Sequence, residues 1–593
     1  MAALSPHVLV VFVAVLLLAT ATTTRCHRHG RHHRHAAKGD AVAAAAATLG
    51  VTDINAICRT TPHPDSCLAS TAVHLDAAAE KLVASSISVQ LLPPNILSVA
   101  LASLRGALSA VSSLSPVLSS ALSAPPPSSP PGASPLRRGA AQDCLELHAA
   151  TLASLSRSAS LLASPGEGLP SVRAHLAAAL TNKATCLDGL AGASGPEMDG
   201  LLASLDDAYA HVTNSLSLVA GRGDSDGGGS AASFAAAVAK IIHHNRRLLE
   251  DIGDYSDNGG GDDDDDNNND KTVVITVAKD GTGNYRTVGE AVAAAPNNSA
   301  TRTVIRVKAG TYEENVEVPP YKTNIALVGD GRDATVITGS RSAADGWTTF
   351  RSATFDAFLT HAGVSGEGFM ARDVTFRNTA GAAKGQAVAL RVNADMAAAY
   401  RCGVDGHQDA LYAHSFRQFY RECAVSGTVD LVFGNAAAVL QACALVAKNP
   451  VAGQSNVLTA QARGDPNEDT GFSVHNCTVA ASPELLASAV STRTFLGRPW
   501  RPYARAVVMD SYLGPLVDRA GWVDWPDAEA GRADTVYFGE YGNGGPGAAT
   551  DGRVGWAGFH EMGYDEAAQF SVDSLISGDE WLAATSFPYD DDV

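Results

Sequence analysis

The sequence predicts two unlike folds in one chain of 593 residues: an all-α bundle over residues 40–220 and an all-β domain of stacked coils over residues 271–593. Three observations carry this reading. Residues 40–220 are dominated by Ala, Leu and Ser, with leucines at three- and four-residue spacing, the period of an amphipathic helix. The second half repeats instead. Ala399-Tyr400-Arg401-Cys402-Gly403-Val404, Phe419-Tyr420-Arg421-Glu422-Cys423-Ala424-Val425 and Val439-Leu440-Gln441-Ala442-Cys443-Ala444-Leu445 are three copies whose cysteines fall 21 and 20 residues apart. Short β-branched and aromatic runs with such a period are coils of a β-solenoid. Between the halves lies an acidic tract that cannot bury a core.

Taken in order, residues 8–22 are apolar but short for a bilayer span, and a small-residue stretch follows. Residues 1–25 therefore read as a secretory signal peptide. The n-region lacks Lys or Arg, and a basic cluster, Arg25 to His35, follows the run, so an uncleaved signal anchor is the alternative. No other stretch is expected to span a membrane. Nine cysteines fit an exported protein. Cys26 is expected to leave with the signal, and four fall in each half, which suggests two separately closed domains. Asn297-Asn298-Ser299 and Asn476-Cys477-Thr478 are glycosylation acceptor patterns.

In the helical half, Ile96 to Leu104 and Leu145 to Leu162 are the clearest periodic segments, and several such segments make a bundle. Ala124 to Pro135 is Pro/Ser-rich and reads as an exposed loop. Residues 221–270 form the linker. It holds Arg246-Arg247-Leu248-Leu249 and then a run of Asp, Asn and Gly, Asp251 to Asp270, with no ordered spacing for a bound cation. A dibasic site beside an unstructured tract is open to a protease.

Two aspartates stand out in the solenoid half. Asp409 lies in Gly406-His407-Gln408-Asp409-Ala410-Leu411-Tyr412, and Asp430 lies in Gly427-Thr428-Val429-Asp430-Leu431-Val432-Phe433-Gly434. Their separation, 21 residues, is one coil, and that from Gln386 to Gln408 is 22. The pair is thus expected one above the other, facing one groove. Paired carboxylates serve hydrolysis, one attacking and the other handling the proton.

These strings resemble the active-site segments of plant pectin methylesterases, with Gly310-Thr311-Tyr312-Glu313-Glu314, Gln386-Ala387-Val388-Ala389-Leu390, Leu496-Gly497-Arg498-Pro499-Trp500 and Gly521-Trp522 as further matching motifs over about 320 residues. The helical half resembles the inhibitor domain of that family, with a Cys58/Cys67 pair and a Cys144/Cys186 pair as its marks. The resemblance implies a four-helix bundle and a right-handed parallel β-helix. It implies hydrolysis of the methyl esters of polygalacturonate, with Asp430 as nucleophile, Asp409 as proton donor and then base, and Gln386 and Gln408 as oxyanion donors. Arg498 would hold Asp430, while Trp500 and Trp522 would offer faces to sugar rings and Thr349 would touch substrate. It also makes Cys423 and Cys443 disulfide candidates and Arg246-Arg247-Leu248-Leu249 a processing motif. The helical half would be an inhibitor, or a pro-segment without that capacity.

The chain departs from the family pattern at Gly385, His407, Ala410 and Leu431-Val432, where His, an aromatic, Thr and Phe-Ile are usual. His407 beside the acid is expected to change its pKa, and extra residues near Phe355 to Gly363 are expected to alter which pectins fit. Over residues 271–593, 26 Lys and Arg stand against 37 Asp and Glu, a net charge of −11. Such a surface repels anionic pectin at long range, so wall retention is expected to be loose. The absence of a basic stripe argues against nucleic acid as a partner. The expected partners are methylated pectin, an inhibitor-type helical domain and a processing protease; no cofactor or metal is expected. A lyase would need calcium ligands and a basic residue, and a polygalacturonase three clustered aspartates. A non-enzymatic inhibitor or wall-binding protein is the alternative outside enzymes.

Overall fold

The computed structural model describes residues 51–73, 94–123, 133–163, 168–191, 196–220, 273–359, 368–488, 491–526 and 531–593. The N-terminal apolar run, most of the Pro/Ser stretch and the linker with Arg246 to Leu249 lie outside the described residues.

The helical half contains α1 (Val51–Cys58), a helical stretch over residues 64–73, and four long helices: α2 (Pro94–Ser123), α3 (Ala133–Ala163), α4 (Leu169–Gly189) and α5 (Pro196–Val219). On α2, Leu97, Leu101, Leu104, Ala107, Val111, Leu114 and Leu118 are buried at helical spacing. They pack with Leu155, Leu176, Leu205, Val212 and Leu216 of the other helices into a core of their own. Ile96–Ser120 is long and apolar enough to cross a bilayer by length and composition, where no stretch beyond the N-terminal run was expected to be. Burial of its face in the bundle accounts for that apolarity. Cys58 is bonded to Cys67, and Cys144 joins α3 to Cys186 of α4.

The second half is a parallel β-helix. Among the described residues its strands form three large parallel sheets of 11, 8 and 7 strands and a small one of two, the central coils giving a strand to each large sheet in turn. Columns of inward-facing residues stack in register: Ile275, Ile305, Leu327, Ala371, Ala399, Tyr420, Leu440, Val474 and Val508 occupy successive rungs of one sheet, and all are buried. Each coil leaves that sheet through one residue in the left-handed region. Asp373, Arg401, Glu422, Ala442, Asn476 and Asp510, all with φ between 49° and 57°, hold this position on successive coils. The inward residue that follows is Val374, Cys402, Cys423, Cys443, Cys477 or Ser511.

The repeat's cysteines are thus a ladder inside the coil rather than cross-links. Cys402, Cys423, Cys443 and Cys477 are free and buried, which corrects the expectation that Cys423 and Cys443 form a disulfide. Each thiol bonds locally: the Cys402 N–H donates to Cys423 Sγ at 3.4 Å, and the Cys443 N–H donates to Cys477 Sγ at 3.3 Å. They fill the corner as small apolar groups.

The seven-stranded sheet carries the site. Its strands run in chain order: β1 (Val316–Val318), β2 (Phe355–Leu359), β3 (Leu390–Ala394), β4 (Leu411–Ser415), β5 (Val432–Gly434), β6 (Thr459–Gln461) and β7 (Arg498–Pro499). Phe355 opens β2 in the solenoid core, so the stretch expected as an extra loop begins inside a strand; residues 360–367 lie outside the described residues.

Candidate active site

Asp409 and Asp430 each stand two residues ahead of a strand of this sheet. Leu411 of β4 and Val432 of β5 are in register, so the aspartates occupy equivalent corners of adjacent coils, and the Asp409 N–H donates to the Val429 carbonyl at 3.0 Å. Both have positive φ, 63° and 52°, a conformation that Asp tolerates better than most residues. Both carboxyls are buried, Asp409 at 6 % exposure and Asp430 at 5 %.

Arg498 holds Asp430 from two coils away. Its Nε and Nη2 donate to the two carboxylate oxygens at 2.8 and 2.7 Å. The rung between is Ala460, in register with both Phe433 and Arg498, and its small side chain leaves the guanidinium a path across. Such a fork orients a carboxylate as well as stabilising its charge. Among the described residues no cation forms an ion pair with Asp409. Burial, and then the Asp430 charge, push its carboxyl well above the usual carboxylate range, against a smaller opposing pull from Arg498. Burial also raises Asp430, but Arg498 opposes this by charge and by hydrogen bond. Of the two, Asp409 holds its proton the more tightly, and Asp430 is the one that a cation favours in the ionised form.

A cavity of about 380 Å³ opens over the pair. Gln386, Gln408, Thr349, Phe350, Arg498 and Trp500 line it beside the two aspartates. The glutamines sit on adjacent coils, tied by the Ala387 N–H donating to the Gln408 carbonyl at 3.1 Å. The structure thus brings seven of the eight expected catalytic and substrate-binding residues together. The eighth, Trp522, is elsewhere. It is 1 % exposed, donates from Nε1 to Glu540 at 3.1 Å and stacks on Phe538 at 4.5 Å. The residue that reaches the cavity from that loop is Trp525. Its ring stacks on Trp500 at 6.3 Å, and the Arg498 guanidinium lies over it at 4.1 Å. Tyr412 and Phe433, stacked at 4.1 Å, complete an aromatic floor. Burial, and then Lys448, lower the pKa of His407 itself, with Asp405 opposing.

The helical half closes this groove from above. Asp143 of α3 and Thr185, Asp188 and Gly189 of α4 line the same cavity. Leu147, Ala150 and the Cys144–Cys186 bridge pack on Phe350, Phe358, Val388 and Tyr412. Polar contacts fix the seat: Thr185 Oγ1 meets His414 Nε2 at 2.9 Å, and Asn435 Nδ2 donates to Thr181 Oγ1 at 2.9 Å.

Fold and site together fit a hydrolase, with a buried carboxylate pair in the groove of a parallel β-helix. Comparison with known proteins makes the class specific. Residues 274–579 match the family model described as pectinesterase, and residues 52–218 match that of the plant invertase/pectin methylesterase inhibitor. The chain is 46 % identical over 549 residues to the probable pectinesterase/pectinesterase inhibitor 12 of Arabidopsis thaliana, covering 91 % of this chain and 94 % of that protein. It is 52 % identical over 316 residues to a pectinesterase of Daucus carota, covering 53 % of this chain and 96 % of that one. The solved pectin methylesterase from carrot superposes with a TM-score of 0.51 at 51 % identity, over 53 % of this chain and 97 % of that one. The chain belongs to the pectinesterase family, as a pectin methylesterase with an inhibitor-like helical region ahead of the enzyme. The carrot structure consists almost wholly of the region matched here, and in this chain the β-helix has a hydrophobic core of its own.

Proposed function

We propose that the aspartate pair hydrolyses the methyl esters of polygalacturonate, releasing pectate and methanol, in the following way. Asp430 attacks the ester carbonyl carbon and forms an acyl-enzyme anhydride. The amide groups of Gln386 and Gln408 donate to the oxyanion. The methoxide leaves with the proton of Asp409, as methanol. Asp409, now ionised, takes a proton from water; the hydroxide attacks the acyl carbon, and Asp430 departs as a carboxylate. Trp500 and Trp525 offer their faces to sugar rings, and Thr349 contacts substrate at the other end of the groove.

One observation carries this reading: a carboxylate gripped at two points by Arg498 on the coil next to a buried carboxyl whose pKa burial and that neighbour's charge push up. The test is Asp430→Asn in the 271–593 fragment. Methanol release should fall more than about 100-fold, because an amide is a poor nucleophile, with circular dichroism unchanged. Turnover above a few per cent of wild type would remove Asp430 from the role.

The helical half is the enzyme's own lid in this proposal. It seals the groove against a polymer until the chain is cut at Arg246-Arg247-Leu248-Leu249 by a processing protease. Secretion to the cell wall follows from the N-terminal apolar run, if it is removed as a signal.

A further inference from the structure

Another cavity, of about 520 Å³, opens where α4, the 11-stranded sheet and the C-terminal helix Val572–Ile576 meet. Neither Asp409 nor Asp430 lines it, and the proposed chemistry makes no use of it. Its charged lining is Arg173, Arg417, Arg505 and Asp469, three cations against one anion in a chain of net charge −19. The coil pattern makes the hollow. Side chains alternate along a strand, so Arg417, Ala437 and Arg505 share the outward face with Phe419, Val439 and Val507, on which the C-terminal helices pack. Arg417 is in register with Ala437, and Ala437 with Gly471, and these small residues leave the space between the arginines. A Cβ on Gly471 would come within 2.8 Å of Arg505 Nε.

Two of the arginines have carboxylates of their own. Arg173 Nε of α4 lies 2.7 Å from Asp469. Arg417 donates to both oxygens of Asp395 at 2.9 and 2.6 Å, and to Ser171 Oγ of α4 at 3.0 Å. Arg505 differs. Its Nε donates to the Thr470 carbonyl at 2.8 Å, and its guanidinium lies 5.5 Å from the Phe570 ring centre. Among the described residues no carboxylate forms an ion pair with it. Burial, and then the charge of Arg463, push its pKa down to about 10, with Asp469 opposing.

We propose that this cavity is a binding site for a small tetrahedral oxyanion, held chiefly by Arg505 and closed from the bundle side by Arg173. A guanidinium drawn out of water without a counter-ion is costly, and an anion accepting from Arg505 removes that cost. Asp469 does not serve, because it is turned to Arg173 and half exposed. The tetrahedral shape follows from the directions of the donors. Arg173 comes from α4, Arg505 from the sheet, and the Gln569 amide and Ser577 hydroxyl from the C-terminal segment. One planar fork satisfies a carboxylate, whereas donors converging from three elements suit an anion that accepts on several sides. Because Arg173 belongs to the bundle and Arg505 to the solenoid, an occupied site ties the two halves together. Its effect on activity, to hold the lid in place, rests on the lid reading; the binding does not.

The test uses the uncut chain and calorimetry, which needs no turnover. Sulfate and phosphate are titrated at constant ionic strength, set with sodium chloride so that general screening is the same throughout. One equivalent should bind saturably, with a Kd below about 1 mM. Arg505→Gln should weaken binding at least about tenfold, and Arg173→Gln at least about threefold, through loss of a charged donor. Arg519→Gln, at an exposed arginine paired with Asp551, should leave the Kd unchanged. Phenyl phosphate separates two sources of the same chemistry. Tighter binding than phosphate assigns the site to an anionic group carried on a larger molecule, and weaker binding assigns it to the free ion. No saturable heat up to about 10 mM, or the same Kd in Arg505→Gln as in wild type, would overturn the proposal. Should Arg505→Gln fail to fold, Arg173→Gln decides, since that side chain is partly exposed at the rim, and an unchanged Kd there would overturn it. A chain that binds sulfate in this way but whose aspartate pair proves inactive would count against the esterase reading and leave this site standing.

Discussion

Asp409 and Asp430 are the same residue type, one coil apart, and their surroundings give them opposite tasks. Arg498 forks onto Asp430; Asp409 has burial and the charge of its neighbour. The difference is testable by pH. Both carboxyls titrate above the ordinary range, Asp409 more so. Activity needs Asp430 ionised, so it should fall as pH drops through the raised pKa of Asp430. It also needs Asp409 protonated, so it should fall again as pH rises through the higher pKa of Asp409. The kcat/KM profile of the 271–593 fragment should be a bell, and a rate that stays flat at high pH would remove Asp409 as the acid. For stability the sign is the same for both groups: a raised folded-state pKa contributes most at low pH and is lost as pH rises. Arg498→Lys keeps a charge but not the fork, and its shorter reach must still cross Ala460. Turnover should fall more than tenfold, about 1.4 kcal/mol on the barrier, and a near-normal rate would show that any positive charge suffices. At this scale the sequence was informative where the coil period applied. Gln386, Gln408, Asp409 and Asp430 fall at coil spacing, so their common face was readable. Trp522 and Trp525 lie in an irregular loop with no period, where nothing tells which ring turns inward. Hydrogen bonding of Trp522 to Glu540 inside the core decides it.

Each coil is held less by its own short strands than by the rungs above and below it. Phe376 is 0 % exposed and packs on Phe355 at 4.8 Å inside the solenoid. Phe376→Ala in the 271–593 fragment should cost about 3–5 kcal/mol, read as a lower denaturant midpoint with a similar slope. A loss under about 1 kcal/mol would mean that this corner relaxes around the cavity. The cysteine period announced the coil correctly and the cross-link wrongly. Even numbers of cysteines in an exported chain suggest bridges, yet an inward corner position every 20 or so residues is equally well filled by a buried thiol. Which of the two holds depends on the ladder's hydrogen bonds, which no spacing reveals. The helices were legible from leucine spacing, but the faces of α3 and α4 that seat on the β-helix were not. Asp143 and Asp188 look like ordinary helical acids until Arg351 and Arg501 are placed opposite them.

At the scale of the whole chain, composition divides the molecule into its halves, because a leucine period and a solenoid period cannot describe one fold. Composition is silent on how the halves meet. The structure places α3 and α4 over the cavity that holds the aspartate pair, with an apolar contact around Tyr412 and Phe358 and ion pairs at both ends. In the proposed reading, a bundle seated there keeps a polymer out of the groove, and its removal opens it. The most direct measurement compares methanol release from methylated pectin by the uncut chain and by the 271–593 fragment, at equal molar concentration. The fragment should release methanol at least tenfold faster. Equal rates, or no methanol from a folded fragment, would contradict the account of an aspartate esterase sealed by its own helical half.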